Sequence, residues 1–262
     1  MSLTANARMY AVTPAVKAAW QDLFAWVAKT SGVPLAYLDH TAPAPLEALW
    51  ERDDLGAVFM CGFPFACAAP RPLPLVAPVP SPPRYAGLPQ YCTDFIVRAD
   101  RDPGDLTFAG RIGWTIAHSQ SGYNAVRHHL LGRTVSPTQW IGPLLTPRAV
   151  IEAVLNDRID VGPLDSYVHD LLKFHEPETA AKLRVIESTV MTPIPLLVAS
   201  PGLDDETAEL RRVLLSCHAE PALAATLDAL LVSRFVAVDP TAYDALVLRA
   251  HDADRAGIAR PE

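Results

Sequence analysis

Apolar positions along the chain follow two rhythms in turn. Short, nearly continuous apolar runs read as strands, and apolar residues three and four apart read as helices with one buried face. Residues 7–12 form the first such run. Thr13-Pro14 then supplies a capping hydroxyl followed by proline at the first helical position. Val16, Trp20, Leu23 and Val27 continue at helical spacing until Ser31-Gly32 stops the helix. The same reading predicts strands over 35–38 and 56–61, with a short helix over 45–50 between them. The proline-dense stretch 70–90 predicts an edge strand over 73–79 and then a surface loop, because proline cannot donate to a ladder. A long strand over 91–98 is followed by a turn with a helical fragment over 102–110. Next come a strand over 111–116, a helix over 121–131 closed by Gly132, and a strand over 138–145. Thr146-Pro147 repeats the cap-then-proline signal ahead of Val150, Ile151, Val154 and Leu155. Strands over 159–164, 183–190 and 194–199, and helices over 165–175, 204–218, 221–232 and 240–251, complete the pattern, and the last ten residues read as a frayed tail.

Alternating strands and helices define an α/β protein with parallel sheet. There are two such runs, one before Tyr91 and one from Arg111 to Val190, and each is long enough for its own sheet. The strands 91–98 and 194–199 fall where the chain would cross between them. The expectation is two lobes, residues 1–95 with 194–262 and residues 96–193, joined by two crossing strands with a cleft between. Ligands in open α/β sheets bind beyond the carboxyl ends of strands, so the loops after each strand are the places to look.

The composition narrows the function. The chain has 262 residues and a formal charge of −7, so a general nucleic-acid binder, which needs a basic footprint, is excluded. A small anion is not excluded, since a few local donors suffice to hold one. No apolar run reaches the length of a membrane span; the longest uncharged one, 55–70, contains Gly62, Pro64 and Pro70. The amino terminus lacks a basic region followed by an apolar stretch, so the expected location is periplasmic if a signal peptide has been removed and cytoplasmic otherwise. Cys61, Cys67, Cys92 and Cys217 have no C-x-x-C spacing, and no histidine motif suggests a metal. No cofactor is expected.

Three segments could carry chemistry. His118-Ser119-Gln120-Ser121-Gly122-Tyr123-Asn124 follows a strand and opens a helix. Its two serine hydroxyls and the N–H groups of a first helical turn make an anion site, and Gly122 lets the backbone approach a ligand. Simple N-capping by Ser119 or Ser121 is the alternative. A hydrolase elbow would need G-x-S-x-G, and here Ser119 stands where the first glycine belongs. Asp165 lies at a strand end and a helix start, where it is either a cap or a ligand contact. As a contact it would repel an oxyanion unless the ligand carries a proton, which phosphate and phosphonate monoanions do and sulfate does not. Cys61-Gly62-Phe63-Pro64 follows the third strand, so Phe63 could wall a cleft or pack a tight turn. Tyr10 and Tyr91 could point hydroxyls into the cleft or lie in the core.

Taken together, Met9-Tyr10, Cys61-Gly62-Phe63-Pro64, Ser119-Gln120-Ser121-Gly122-Tyr123-Asn124 and Asp160 to Asp165 resemble the phosphate/phosphonate-binding family of ABC-transporter substrate-binding proteins. The resemblance runs from about residue 8 to about 235. It implies the type 2 periplasmic-binding-protein fold, two α/β lobes with a hinge that closes on ligand, and no catalysis. It further implies that Ser119, Ser121 and the N–H groups of Gly122 and Tyr123 hold an oxyanion. Tyr10 would approach from the first lobe, and Asp165 would meet the ligand's protonated oxygen or an amino group. The implied ligand is phosphate, phosphite or a phosphonate, and the implied partner is an ABC permease. Many relatives carry a Gly-Ser-His step after the strand that here is 138–145; this chain has Leu145-Thr146-Pro147-Arg148, leaving Thr146 and Arg148 as substitutes. The competing readings are a cytoplasmic enzyme or a ligand sensor on the same scaffold.

Overall fold

A computed structural model describes residues 2–101, 108–133 and 137–258. Most of the turn expected over 102–110 lies outside them. In chain order the elements are β1 (Leu3–Asn6), α1 (Pro14–Ser31), β2 (Leu35–Tyr37), α2 (Leu46–Trp50), β3 (Leu55–Met60), α3 (Gly62–Cys67) and β4 (Leu73–Pro80). There follow β5 (Gln90–Tyr91), β6 (Thr93–Arg98), β7 (Arg111–Gly113), α4 (Ala125–His129), β8 (Gln139–Ile141), α5 (Pro147–Leu155), β9 (Gly162–Asp165), α6 (Ser166–His175), α7 (Pro177–Ala180), β10 (Leu183–Ser188) and β11 (Thr192–Pro193). The chain ends with β12 (Leu196–Ala199), α8 (Asp204–Ser216), α9 (Ala224–Ala229), β13 (Val232–Val236) and α10 (Asp244–Arg255).

These elements form two units, residues 1–90 with 193–243 and residues 91–192 with 244–262. The chain passes between them at β5 and β11, which pair with each other, and a third time at Tyr243/Asp244. The sequence reading assigned 244–262 to the first lobe; α10 instead belongs with the second unit. The cause is Arg127 of α4, which is buried, pairs with Asp254 of α10 and donates to the carbonyl of Ile258. Burying a guanidinium requires such partners.

In the first unit the sheet order is β13-β4-β12-β3-β1-β2. β1 is parallel to β2 and β3, while β12 runs antiparallel to β3 and β4, and β13 antiparallel to β4. The sheet is therefore mixed rather than parallel, because the returning β12 inserts between β3 and β4. β4 is also not an edge strand, although it carries Pro74, Pro78 and Pro80. Register shifts on both neighbours accommodate the missing donors. Side chains serve the carbonyls of this strand: Arg211 Nε donates to Leu75 (3.1 Å) and Ser233 Oγ to Val79 (3.0 Å). β13 falls partly in the expected helix over 221–232, which gives way after Leu231 takes a positive φ of 51°. α1 is capped as its sequence signals, with Thr13 Oγ1 accepting from Val16 N and Gly32 closing it at φ 73°. Its Trp20 meets Phe59 of β3 edge-on with centroids 5.0 Å apart, and full burial of such a side chain contributes about 1.5–3 kcal/mol.

In the second unit β6 lies antiparallel between β10 and β9. β7 is parallel to β8 and also bridges in parallel to Val161, just ahead of β9. Phe95, Val97, Phe108, Ile112, Val126, Leu130 and Val161 pack as its core. The strand expected over 91–98 breaks at Cys92 into β5 and β6. The break lets Ser166 seal the end of β9 against Cys92: Ser166 N donates to Cys92 O (2.9 Å) and Cys92 N to Ser166 Oγ (3.0 Å).

Candidate functional site

Three parallel strand ends of the second unit deliver polar side chains to one place. β7 leads into Trp114-Thr115 and then the turn carrying Ser119 to Tyr123. β8 leads into Leu144-Leu145-Thr146. β9 ends on Asp165. Thr115 ties the first two together, because its N–H donates to Gly122 O (3.1 Å) and its carbonyl accepts from Leu145 N (3.3 Å). Thr93, opposite Asp165 in the β6–β9 ladder, ties in the third by donating from Oγ1 to Ser121 O (2.9 Å). Ligand sites in α/β sheets lie at such carboxyl ends.

The turn Gln120–Asn124 is a single wide helical turn ahead of α4, in which Asn124 N–H reaches back to Ser119 O (3.0 Å). Turns of this width inside helices occur frequently at functional sites. Ser119 caps it, its Oγ accepting from Gly122 N (2.9 Å). The Gly122 N–H, which the resemblance assigned to the ligand, is thus donated to Ser119 within the protein. Ser119 retains its own hydroxyl proton to donate. Ser121 is half-exposed, and its hydroxyl has no hydrogen-bond partner among the described residues. Gln120 is buried. Tyr123 is buried against Trp114 and beneath Arg127, so its ring is core rather than ligand surface.

Gly122 is required by close approach. A Cβ there would lie 2.0 Å from Thr115 Oγ1 and 2.9 Å from Thr115 Cβ, which no rotamer change relieves.

Thr146 caps α5, its Oγ1 accepting from Ala149 N (3.1 Å), and keeps a hydroxyl proton to donate. Arg148 does not replace the family's histidine, because both its terminal nitrogens are held by Glu176 (2.9 and 2.6 Å).

Asp165 serves as both cap and candidate contact. Its Oδ1 accepts from Tyr167 N (2.8 Å) and Val168 N (3.1 Å), opening α6, while Oδ2 makes no hydrogen bond among the described residues. The residue is only 8% exposed. Burial pushes its carboxyl up to about 7, the two N–H donors oppose this, and the charges of Asp94 and Asp170 add to it. Asp94 is wholly buried beside it on β6 and is held by His169 Nδ1 (2.8 Å) and Ser188 Oγ (2.7 Å). Asp170 is held by Lys173 (3.0 Å).

Sequence reasoning placed Ser119, Gln120, Ser121, Thr146 and Asp165 near one another, and it missed Thr93 and Thr115. A strand threonine carries no signal of its own. Tyr91 is buried in β5. Tyr10 and Phe63 belong to the first unit. Tyr10 lies in the turn after β1 rather than in a strand, fully buried and edge-on to Phe59 at 5.0 Å. Phe63 is half-buried in the first turn of α3.

Two α/β units with mixed sheets, joined at paired crossing strands, are the type 2 periplasmic-binding-protein fold. Solved structures agree. PhnD1 from Prochlorococcus marinus, determined in complex with methylphosphonate, superposes with a TM-score of 0.76 at 17% identity, covering 97% of this chain and 98% of that one. PA3383 from Pseudomonas aeruginosa, a binding-protein component of an ABC phosphonate transporter, gives 0.75 at 17% identity, covering 100% and 91%. XAC2383 from Xanthomonas citri, bound to ATP, gives 0.64 at 20% identity, covering 97% of each chain. No curated protein matches the chain. The family model described as ABC transporter, phosphonate, periplasmic substrate-binding protein matches residues 11–243, so the chain belongs to that family. Its role is non-catalytic and implies a small ligand and a permease partner. The enzyme reading is thereby overturned. Among the described residues no helix is long and apolar enough to cross a membrane.

Two outcomes follow from this geometry. Gly122→Ala will cost about 1–3 kcal/mol in urea denaturation, and Thr115→Ala in the same chain will recover part of that loss, since it removes the hydroxyl the new methyl strikes. Asp165, with its carboxyl raised above the unfolded value, contributes stability that is full below about pH 4 and lost as pH rises through about 7. Asp165→Asn keeps a cap residue and removes the ionisation cost. It will leave stability at pH 4 little changed and raise that of the unliganded protein at pH 8.5 by at most about 4 kcal/mol.

Proposed function

We propose that this protein captures a small phosphorus oxyanion (phosphate, phosphite or a phosphonate) on the hydroxyls of Ser119, Ser121 and Thr146 and on Asp165, and delivers it to an ABC permease from the periplasm. The observation that carries the reading is the convergence of these groups at the carboxyl ends of the second unit's parallel strands, with Ser121 Oγ and Asp165 Oδ2 uncommitted among the described residues. Hydroxyl donors to an anion make charge-assisted hydrogen bonds, roughly twice as strong as neutral ones. Family membership supports the ligand class.

Asp165 decides which oxyanions enter. An ionised carboxylate facing an oxyanion is repulsive unless one proton lies between them. With its carboxyl near 7, Asp165 supplies that proton itself in mildly acidic solution. Above that pH the ligand must bring it. Hydrogen phosphate carries a proton throughout the neutral range, whereas sulfate carries none. Rejection of sulfate is therefore a property of the ionised site.

In thermal-shift titrations at pH 6, phosphate and sulfate will both stabilise the protein. At pH 8.5 phosphate will still do so, while sulfate affinity will have fallen about tenfold for each pH unit above 7. A ligand at 100 times its Kd adds about 2.7 kcal/mol, so the melting shift is readily measured. Ser121→Ala will weaken phosphate binding by about tenfold. Undiminished binding of every oxyanion by Ser121→Ala removes that residue from the site, and equal sulfate affinity at the two pH values refutes the role given to Asp165.

A further inference from the structure

The loop between β8 and α5 in the second unit exposes an apolar side chain at a backbone position that favours glycine. Leu145 has a φ of 65°, and Thr146 N–H donates to Leu144 O (2.7 Å), two residues back. A positive φ closed by such a bond is the rare, strained form of the three-residue turn. Its surroundings hold it there. Leu144 N–H donates to Trp114 O (2.9 Å), Leu145 N–H donates to Thr115 O (3.3 Å), and Thr146 Oγ1 accepts from Ala149 N (3.1 Å) at the start of α5. Strained residues persist where the surrounding structure over-determines them, and they cluster at functional sites.

Glycine takes this φ without steric cost, so the turn itself does not call for leucine. The core does not call for it either. Leu144 is buried, its Cδ1 filling the space that a Cβ on Gly113 would need, whereas Leu145 is 39% exposed. Among the described residues Leu145 is the one exposed large hydrophobic at a positive φ. Its chain neighbour and its hydrogen-bond partner both belong to the candidate site: Thr146 follows it, and Thr115, which accepts its N–H, itself donates to Gly122 O beside Ser121. The chemistry of a phosphonate divides in the same way. Three substituents of its phosphorus are oxygens, which hydroxyls serve, and the fourth is carbon. A carbon chain gains from apolar surface removed from water, and Leu145 offers such surface next to the hydroxyls.

We propose that Leu145 is a specificity-determining residue that carries the organic substituent of the ligand, and that the ligand is a phosphonate whose substituent is an apolar chain longer than methyl. This rests on the oxyanion reading above and narrows its ligand class. The test is calorimetric titration at pH 7 with phosphate, methylphosphonate and n-butylphosphonate. The wild-type protein will bind n-butylphosphonate about tenfold more tightly than methylphosphonate. Leu145→Gly and Leu145→Ala will each bring that ratio close to one, and Leu145→Met, which keeps an apolar side chain, will preserve most of it. Ser121→Ala will weaken both phosphonates with the ratio preserved. In melting curves of the unliganded variants, Leu145→Gly will unfold at a higher temperature than Leu145→Ala, because alanine at a positive φ is strained and glycine is not; the same curves show that each variant is folded. A wild-type ratio at or below one, or a ratio that folded Leu145→Gly leaves unchanged, overturns the proposal. Binding of phosphate with neither phosphonate overturns it too. Failure of the wild type to bind any of the three overturns the oxyanion reading beneath it, which is a different result.

Discussion

A carboxylate kept from water is the constraint around which the second unit is arranged. Asp165 ends β9 and begins α6 in the same residue, so its position is set by the sheet on one side and by the helix on the other. One oxygen is consumed by the first turn of α6. Next to it on β6 lies Asp94, wholly buried and sustained by His169 of α6 and Ser188 of β10. Burial is the main reason the Asp165 carboxyl is pushed up to about 7, and the charge of Asp94 adds to it.

The rest of the site is held by commitments of the same kind. Ser119 and Thr146 each accept one backbone N–H and keep one proton to give. Capping and ligand binding are therefore not rival roles for these hydroxyls; they use different lone pairs and hydrogens of one group. Thr115 joins the two capped turns through its backbone, and Gly122 allows the turn to lie flat against it. Precision comes from main-chain bonds between strand ends rather than from the helices behind them.

The parts of this that were legible in the sequence are those with local signatures. Thr13-Pro14 and Thr146-Pro147 announced their helices, and Ser119 and Asp165 stood where caps belong. Other features depend on distant partners. Three prolines marked β4 as an edge, yet register shifts in its pairing with β12 and β13 accommodate the missing N–H groups and keep it inside the sheet. The placement of α10 followed from Arg127 finding Asp254 across more than a hundred residues. The first strand ran over Leu3–Asn6 rather than 7–12 because Ala7 to Val12 is consumed by turns that carry Tyr10 into the core. Thr93 and Thr115 are ordinary strand residues until the ladder shows what they face.

The family relationship fixes the kind of protein, and the site's chemistry fixes what must be shown about its ligand. The most direct measurement is a crystal structure of the protein grown with inorganic phosphate at pH 8. The proposed site predicts an oxyanion within about 3 Å of Ser121 Oγ and Asp165 Oδ2, with the hydroxyls of Ser119 and Thr146 turned toward it. An oxyanion bound elsewhere, with Ser121 and Asp165 untouched, would contradict the site.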